Sequence, residues 1–265
     1  MPAVQLADPA ADPILKRFCA ALEAIYGDRL ERVVLFGSRA RAEASAESDY
    51  DVAVFLKGLA DRWAERRRLA DVAADIFDST GADIQAIPLA AGSYGERTPL
   101  MHEIRLDGVD IGPGGPPLSL YAPPPRGEHS DMAEISPEAA LYMAKARRLL
   151  GQARAIFDMD IYEQAGRIAY AAVFNAAQAL IFERGGRPVK THRGVKSRFG
   201  ELTRYEPSIG ADLRKFLEDG FELKRLVDYP ELGDPEVSEA QAKDAVETAA
   251  RFIDAVARLI EPPRE

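Results

Sequence analysis

GSRARAEASAESDYDVAV, from Gly37 to Val54, decides how the first half of the chain folds. It begins where the apolar run Arg32 to Phe36 (RVVLF) stops and ends inside a second run, Tyr50 to Leu56 (YDVAVFL). Short apolar runs bounded by turn-forming residues read as buried strands. Asp49 and Asp51 stand two apart on the second predicted strand, so both side chains leave the same face. Carboxylates held together repel unless a cation lies between them. Oxygen-only ligation suits Mg2+, which takes one or two protein carboxylates and completes its shell with phosphate and water oxygens. Upstream, Gly37-Ser38 ends the first strand with a residue that lets a phosphate approach the backbone, followed by a hydroxyl and a short helical start. An isolated Asp-x-Asp also describes a solvated acidic pair at a strand edge. The order strand, Gly-Ser, short helix and Ser-Asp-x-Asp-Val is what points to phosphoryl or nucleotidyl transfer.

Outward from this stretch, helix and strand alternate. Asp12-Pro13 is an N-cap followed by proline at the first helical position, and Ile14, Leu15, Phe18, Cys19, Leu22, Ile25 and Tyr26 recur at helical spacing. Trp63 to Phe77 reads as an amphipathic helix, and Ala82 to Ile87 as a third strand closed by Pro88. The expectation is an α/β (α+β) domain with a small sheet over residues 1–112. Residues 113–130, PGGPPLSLYAPPPRGEHS, hold six prolines and three glycines, so they read as a linker that supports neither helix nor central strand. Residues 131–265 contain only helical patterns. Ser136-Pro137 starts one that runs to about Phe157, an alanine-rich one spans Ile161 to Arg184, a shorter one ends near Glu201 to Tyr205, and another covers Ile209 to Val227. Val237-Ser238-Glu239-Ala240-Gln241 is a capping box before a final helix with Ala245, Val246, Ala249, Phe252, Ile253, Val256 and Ile260 on one face. This half is expected to be a bundle of four or five helices.

The 265 residues are 47% hydrophobic and carry a formal net charge of −9. The chain can bury cores, and its charge opposes general coating of duplex DNA, whose affinity comes from neutralising phosphates. Both halves are mildly acidic. Cys19, the sole cysteine, leaves no intramolecular disulfide and no thiolate-rich zinc site. Without a run of about 18 apolar residues or a signal-like N-terminus, the expectation is a soluble cytoplasmic protein with no membrane partner. His102 and His129 have no constellation around them. Against the acidic average, residues 184–198, RGGRPVKTHRGVKSR, hold six basic residues and no acid. This basic loop is a candidate contact for RNA, a nucleotide phosphate or an acidic protein face, or else a solvated loop.

GSRARAEASAESDYDVAVF resembles the signature of the minimal nucleotidyltransferases of the DNA polymerase β superfamily: Gly-Ser-x-x-Arg-Gly, a spacer, then Ser-Asp-x-Asp-hydrophobic. The resemblance covers roughly Ile14 to Gly112. It implies a small mixed sheet with helices, two Mg2+ ions, and transfer of a nucleoside monophosphate from ATP or another nucleoside triphosphate with release of pyrophosphate. Carried across, Gly37 and Ser38 hold the triphosphate, and Asp49 and Asp51 bind the metals. Asp83, in Ala-Asp-Ile-Gln, matches the third carboxylate that completes the site and serves as base. Arg39 and Arg41 are candidates for phosphate contact or for solvated faces of the short helix. One departure stands out: Ala42 occupies a position where the family often has glycine.

The later half resembles the HEPN family of helical domains through Tyr170-Ala-Ala-Val-Phe-Asn, then Lys190-Thr-His192-x-Gly194, then Arg225-x-x-Asp228-Tyr229. On a helix Arg225, Asp228 and Tyr229 share a face, which an ion pair before Pro230 also explains. The family often dimerises and includes RNA-cleaving toxins whose motif is arginine followed four to six residues later by histidine. No histidine follows Arg225 at that spacing, which puts ribonuclease activity in doubt. His192 is the candidate substitute for acid–base work, against the plainer reading of a structural or exposed histidine. In bacteria the two kinds of protein commonly pair as antitoxin and toxin, the transferase silencing its partner by adenylating a tyrosine near the HEPN arginine. This chain resembles both partners fused. The resemblance therefore implies a homodimer through the helical half and transfer of AMP from ATP to a HEPN tyrosine, with Tyr229 as acceptor, in cis or in trans. Two rival readings follow from the same pattern: a transferase acting on a small aminoglycoside-type acceptor, and a HEPN RNA-binding protein or ribonuclease regulated by the transferase half.

Overall fold

In the computed structural model, residues 9–45, 48–112, 135–189, 191–217 and 237–261 are described. The chain divides into two compact units, Met1–Glu128 and His129–Glu265. The proline-rich stretch 113–130 lies outside the described residues, as do Lys190, Arg225, Asp228 and Tyr229.

In the first unit, α1 (Pro13–Tyr26) begins where expected. The Asp12 carboxylate accepts from the Ile14 amide at 2.7 Å, and Pro13 occupies the first turn, where its missing N–H leaves nothing unsatisfied. Four strands follow: β1 (Leu30–Phe36), β2 (Tyr50–Leu56), β3 (Ile84–Ala90) and the short β4 (Val109–Asp110). They form one mixed sheet in the order β3-β2-β1-β4, with β2 and β3 parallel and the other pairs antiparallel. α2 (Arg62–Thr80) makes the crossover that a parallel pair requires. Asp61 caps its start, and Gly81, at φ +74°, turns the chain left-handed at its end.

β1 and β2 are buried on both faces, which is why their sequences are nearly unbroken apolar runs. Val33, Leu35, Val52 and Val54 pack with Phe18, Leu22, Leu69 and Ile76 of α1 and α2. Val34, Phe36, Ala53 and Phe55 pack on the opposite side with Met101 and Ile104 of α3 (Pro99–Asp107). The third strand does not stop at Pro88. It continues to Ala90, with Pro88 in register with Val54. β3 is the sheet's edge, so a missing N–H on its outer side deprives no neighbour of a bond.

The second unit is helical throughout its described residues: α4 (Pro137–Phe157), α5 (Tyr162–Gly185), α6 (His192–Leu202), α7 (residues 211–217) and α8 (Glu239–Ile260). α5 is the core helix. Ala165, Ala169, Ala172, Ala176 and Ala179 are fully buried, and such small side chains let α4 and α8 approach its backbone closely. Although α5 is long and apolar enough to cross a membrane by composition alone, it is mostly buried inside this bundle. α8 carries the expected capping box between Ser238 and Gln241. Its Phe252 stacks on Phe199 of α6 with ring centroids 5.0 Å apart, joining the two helices.

The basic stretch 184–198 is not a single loop. Gly186, at φ +66°, closes α5, and the Thr191 hydroxyl accepts from the Gly194 amide at 3.0 Å to start α6. His192, Arg193, Lys196 and Arg198 thus belong to a helix. The cap residue and the following glycine supply the turn chemistry that apolar spacing alone does not reveal.

Candidate functional site

The antiparallel register sets Asp51 opposite Phe36, the residue before Gly37. Gly37 sits at φ +79°, and a Cβ there would run into the Asp51 carboxylate. Glycine is therefore required both for its backbone angle and for the space beside Asp51. The glycine expected to let a phosphate approach also leaves room for the acid beside it. β2 begins at Tyr50, so Asp49 lies one residue outside the strand rather than on it. The Tyr50 amide donates to the Asp83 carbonyl at 2.8 Å and extends the β2–β3 ladder by one step. Asp51 is in register with Gln85, and aligned residues of neighbouring strands share a face. Asp49 and Asp83 each lie two residues earlier, one residue before their strands begin.

Asp83 is exposed, and both of its carboxylate oxygens accept from Gln85 Nε2, at 3.0 and 3.1 Å. Among the described residues no three His, Cys, Asp or Glu side chains gather into a metal cluster. Asp83 thus borders the Asp49–Asp51 pair without converging on it. Gln85 is a residue that sequence reasoning passed over; its only signal is its place two residues after the candidate acid.

The loop between the strands is shaped by the two arginines. Arg39 is buried, its guanidinium lies 3.8 Å from the centre of the Tyr50 ring, and it donates to the Ser48 and Asp49 carbonyls at 3.0 and 3.2 Å. It thereby ties the start of the glycine turn to the acids. Arg41 donates to Glu43 at 2.7 Å and to Asp107 at 2.8 Å. Both cations are committed to protein acceptors, so neither is the solvated face considered from sequence, and phosphate contact would require these bonds to be exchanged. The Ser38 carbonyl accepts from the Glu43 amide at 2.9 Å, closing the turn. Ala42 lies at φ +57°. The left-handed backbone there supplies the physical reason for glycine at this position, and alanine keeps the turn at a steric cost. Beneath the loop, the Tyr50 hydroxyl donates to the Asp12 carboxylate at 3.2 Å, and burial, followed by the charge of Asp12, pushes its pKa up.

In the helical unit, His192 is the first residue of α6 rather than part of a loop. Its Nδ1 is hydrogen-bonded to the Tyr170 hydroxyl at 2.9 Å, and its ring lies 4.7 Å from that of Phe174 and stacked beside that of Tyr170. Burial pushes the Tyr170 hydroxyl up to about 12. These rings line a cavity of about 420 Å3 together with Leu149, Arg167 and Asn175. The approach to His192 is held by Gln178, whose amide oxygen accepts from the Val189 amide at 3.0 Å while its nitrogen donates to the Val189 carbonyl. A Cβ on Gly194 would strike Val189 and the Thr191 hydroxyl. Tyr170, Thr191, His192 and Gly194 are therefore one packed assembly. Around it the basic island is partly neutralised: Arg184 pairs with Glu206 at 2.9 Å and Arg198 with Glu201 at 2.7 Å.

Two family profiles match the chain: "Polymerase beta, Nucleotidyltransferase" over residues 23–108 and "HEPN domain" over residues 139–259. The protein is a nucleotidyltransferase domain fused to a HEPN domain. Its HEPN half belongs with the UPF0332 proteins: it is 36% identical to one from Archaeoglobus fulgidus over 92 residues, 35% of this chain and 72% of that relative. A Methanocaldococcus jannaschii protein provisionally named a toxin is 25% identical over 48% of this chain and 92% of its own length. In the transferase half, a 44-residue segment is 46% identical to a protein of the same organism provisionally named a protein adenylyltransferase, covering 17% of this chain and 44% of that relative. In the fused protein, the acids at the glycine turn lie inside the nucleotidyltransferase match and the Tyr170–His192 assembly inside the HEPN match. The donor chemistry of the first fits a hard divalent cation: Asp49 and Asp51 offer only oxygens, and Gly37 leaves room around one of them.

Proposed function

We propose that the fused protein transfers AMP from ATP to a protein hydroxyl, that of Tyr229 in a HEPN domain, within one chain or across a homodimer formed through the helical half. The observation that carries this reading is the glycine turn packed against Asp51, with Asp49 beside it, in a nucleotidyltransferase domain that shares its chain with a HEPN domain. When bound, Mg2+ neutralises charge on the triphosphate. Asp49 and Asp51 are the residues that would hold it, and the backbone of Gly37 and Ser38 would border the phosphates. The tyrosine oxygen forms a new bond to the α-phosphorus, and the bond from that phosphorus to the bridging oxygen of the β-phosphate breaks. The electron pair leaves with pyrophosphate, and the hydroxyl proton passes to Asp83. Covalent fusion raises the effective concentration of acceptor at donor site. The setting is a toxin–antitoxin-like system in the cytoplasm, with adenylation silencing the HEPN half and any contact it makes with RNA through residues 184–198.

The test is incubation of the purified chain with ATP and Mg2+, followed by intact-mass measurement and peptide mapping. The expected product carries one adenylate on Tyr229, and the adduct disappears in Asp49→Ala and in Tyr229→Phe. Rapid turnover on an aminoglycoside with no protein adduct would overturn the reading.

A further inference from the structure

The bond between Gln85 and Asp83 lies at the edge of the acidic site and is not used by the transfer described above. We infer that Gln85 is a positioning residue that restrains Asp83 from joining Asp49 and Asp51 until a divalent cation competes for the same oxygens. The inference rests on the metal-dependent reading of the site. Gln85 Nε2 stands almost equally far from the two Asp83 oxygens, 3.0 and 3.1 Å. That is the place a cation binding a carboxylate through both oxygens would take. Because Gln85 is in register with Asp51, its amide is set into the row of acids on that face. A neutral donor there satisfies Asp83 without carrying the charge that would draw Asp49 and Asp51 toward it. Three carboxylates brought together without a cation repel one another, so the amide favours the spread arrangement in which no three acids converge among the described residues. To ligate, Asp83 must release at least one oxygen from the amide. Both side chains are exposed, so the restraint is modest. Release of one hydrogen bond to a charged group corresponds to roughly a tenfold change in an equilibrium constant.

The experiment is a Mn2+ titration of the full chain without nucleotide, read from the electron paramagnetic resonance signal of the free ion. Gln85→Met keeps length and removes the donor at an exposed position, and Gln85→Ala is a second variant with the same expectation. Both should bind Mn2+ about threefold to tenfold more tightly than the wild type, and the gain should vanish when Asp83→Asn is added. Unchanged or weaker binding in the Gln85 variants, with wild-type binding abolished by Asp49→Ala, overturns the restraint and leaves the metal-dependent reading intact. Wild-type protein that binds no Mn2+, or binds it independently of Asp49, overturns both.

Discussion

Asp51 and His192 are held in opposite ways. Asp51 projects from a strand into space that a glycine keeps open, among other acids on the same sheet face. His192 is half-buried, its Nδ1 bonded to the Tyr170 hydroxyl and its ring flanked by two aromatic rings. In the first case strand register brings an acid against a glycine turn, where oxygen donors suit a hard cation. In the second a neighbouring hydroxyl and two aromatic rings hold the titratable group in place. Residue type alone does not separate these situations, because an imidazole and a carboxylate are equally capable of chemistry. The surroundings make the acidic end of the sheet the stronger site and make His192 first of all part of the packing between α5 and α6.

The largest expected effect tests the acidic side of this comparison. Asp49→Ala or Asp51→Ala should lower adenylate transfer at least about a hundredfold, since even outer-shell losses around metals reach that size. Far-ultraviolet circular dichroism should remain unchanged. Transfer that survived either change would break the comparison.

Gly37→Ala should both destabilise the first unit and weaken the site. A left-handed non-glycine residue costs about 1–3 kcal/mol, and the new methyl group would displace Asp51. Urea unfolding and Mn2+ binding should therefore worsen together.

Alkaline pH should separate the units. Burial, followed by the charge of Glu23, pushes the Cys19 thiol up to about 11 from an ordinary 9.0, and burial, followed by Glu65, pushes Tyr26 up to about 12 from 10.0. Between the unfolded and folded values the native state binds more protons than the unfolded chain, so stability falls as pH rises. The first unit should begin to lose stability as pH passes 9 because of Cys19. The helical unit, through Tyr170, should hold until about 10 and then decline toward 12. Hydrogen exchange across a pH series reads each unit separately, and Cys19→Val should delay the first loss.

Tyr170→Phe should cost about 1 kcal/mol by removing the hydrogen bond to His192 while leaving the rings in place. Loss of transfer in this variant beyond that modest destabilisation would show that the Tyr170–His192 assembly does more than pack. The smallest effect is expected at Ala42→Gly, which should stabilise the first unit by about 1 kcal/mol by relieving the positive φ, visible as a higher Tm.

Much of the fold was legible locally. Asp12-Pro13, Ser136-Pro137 and Ser238 with Gln241 name helix starts because a cap satisfies backbone groups a few residues away. The runs RVVLF and YDVAVFL read as strands because both of their faces are buried. β3 reads too short because proline looks like a stop unless the strand is known to lie at an edge. The start of α6 is hidden in a basic stretch because charge obscures apolar periodicity. Gly37, Asp49 and Asp51 are candidates that spacing alone picks out. The anchoring of Arg39 on Tyr50, of Arg41 on Asp107 and of His192 on Tyr170 was not legible, since these partners are brought together only by folding.

By itself, then, the sequence determined the kinds of element, their order, and the pairing of a glycine turn with two acids, because caps, turns and alternation act over a few residues. Only the tertiary structure decided that Asp51 fills the space over Gly37 and that two arginines and a histidine are already bound within the protein. Those outcomes depend on strand register and helix packing between residues far apart in the chain, where short-range spacing carries no information.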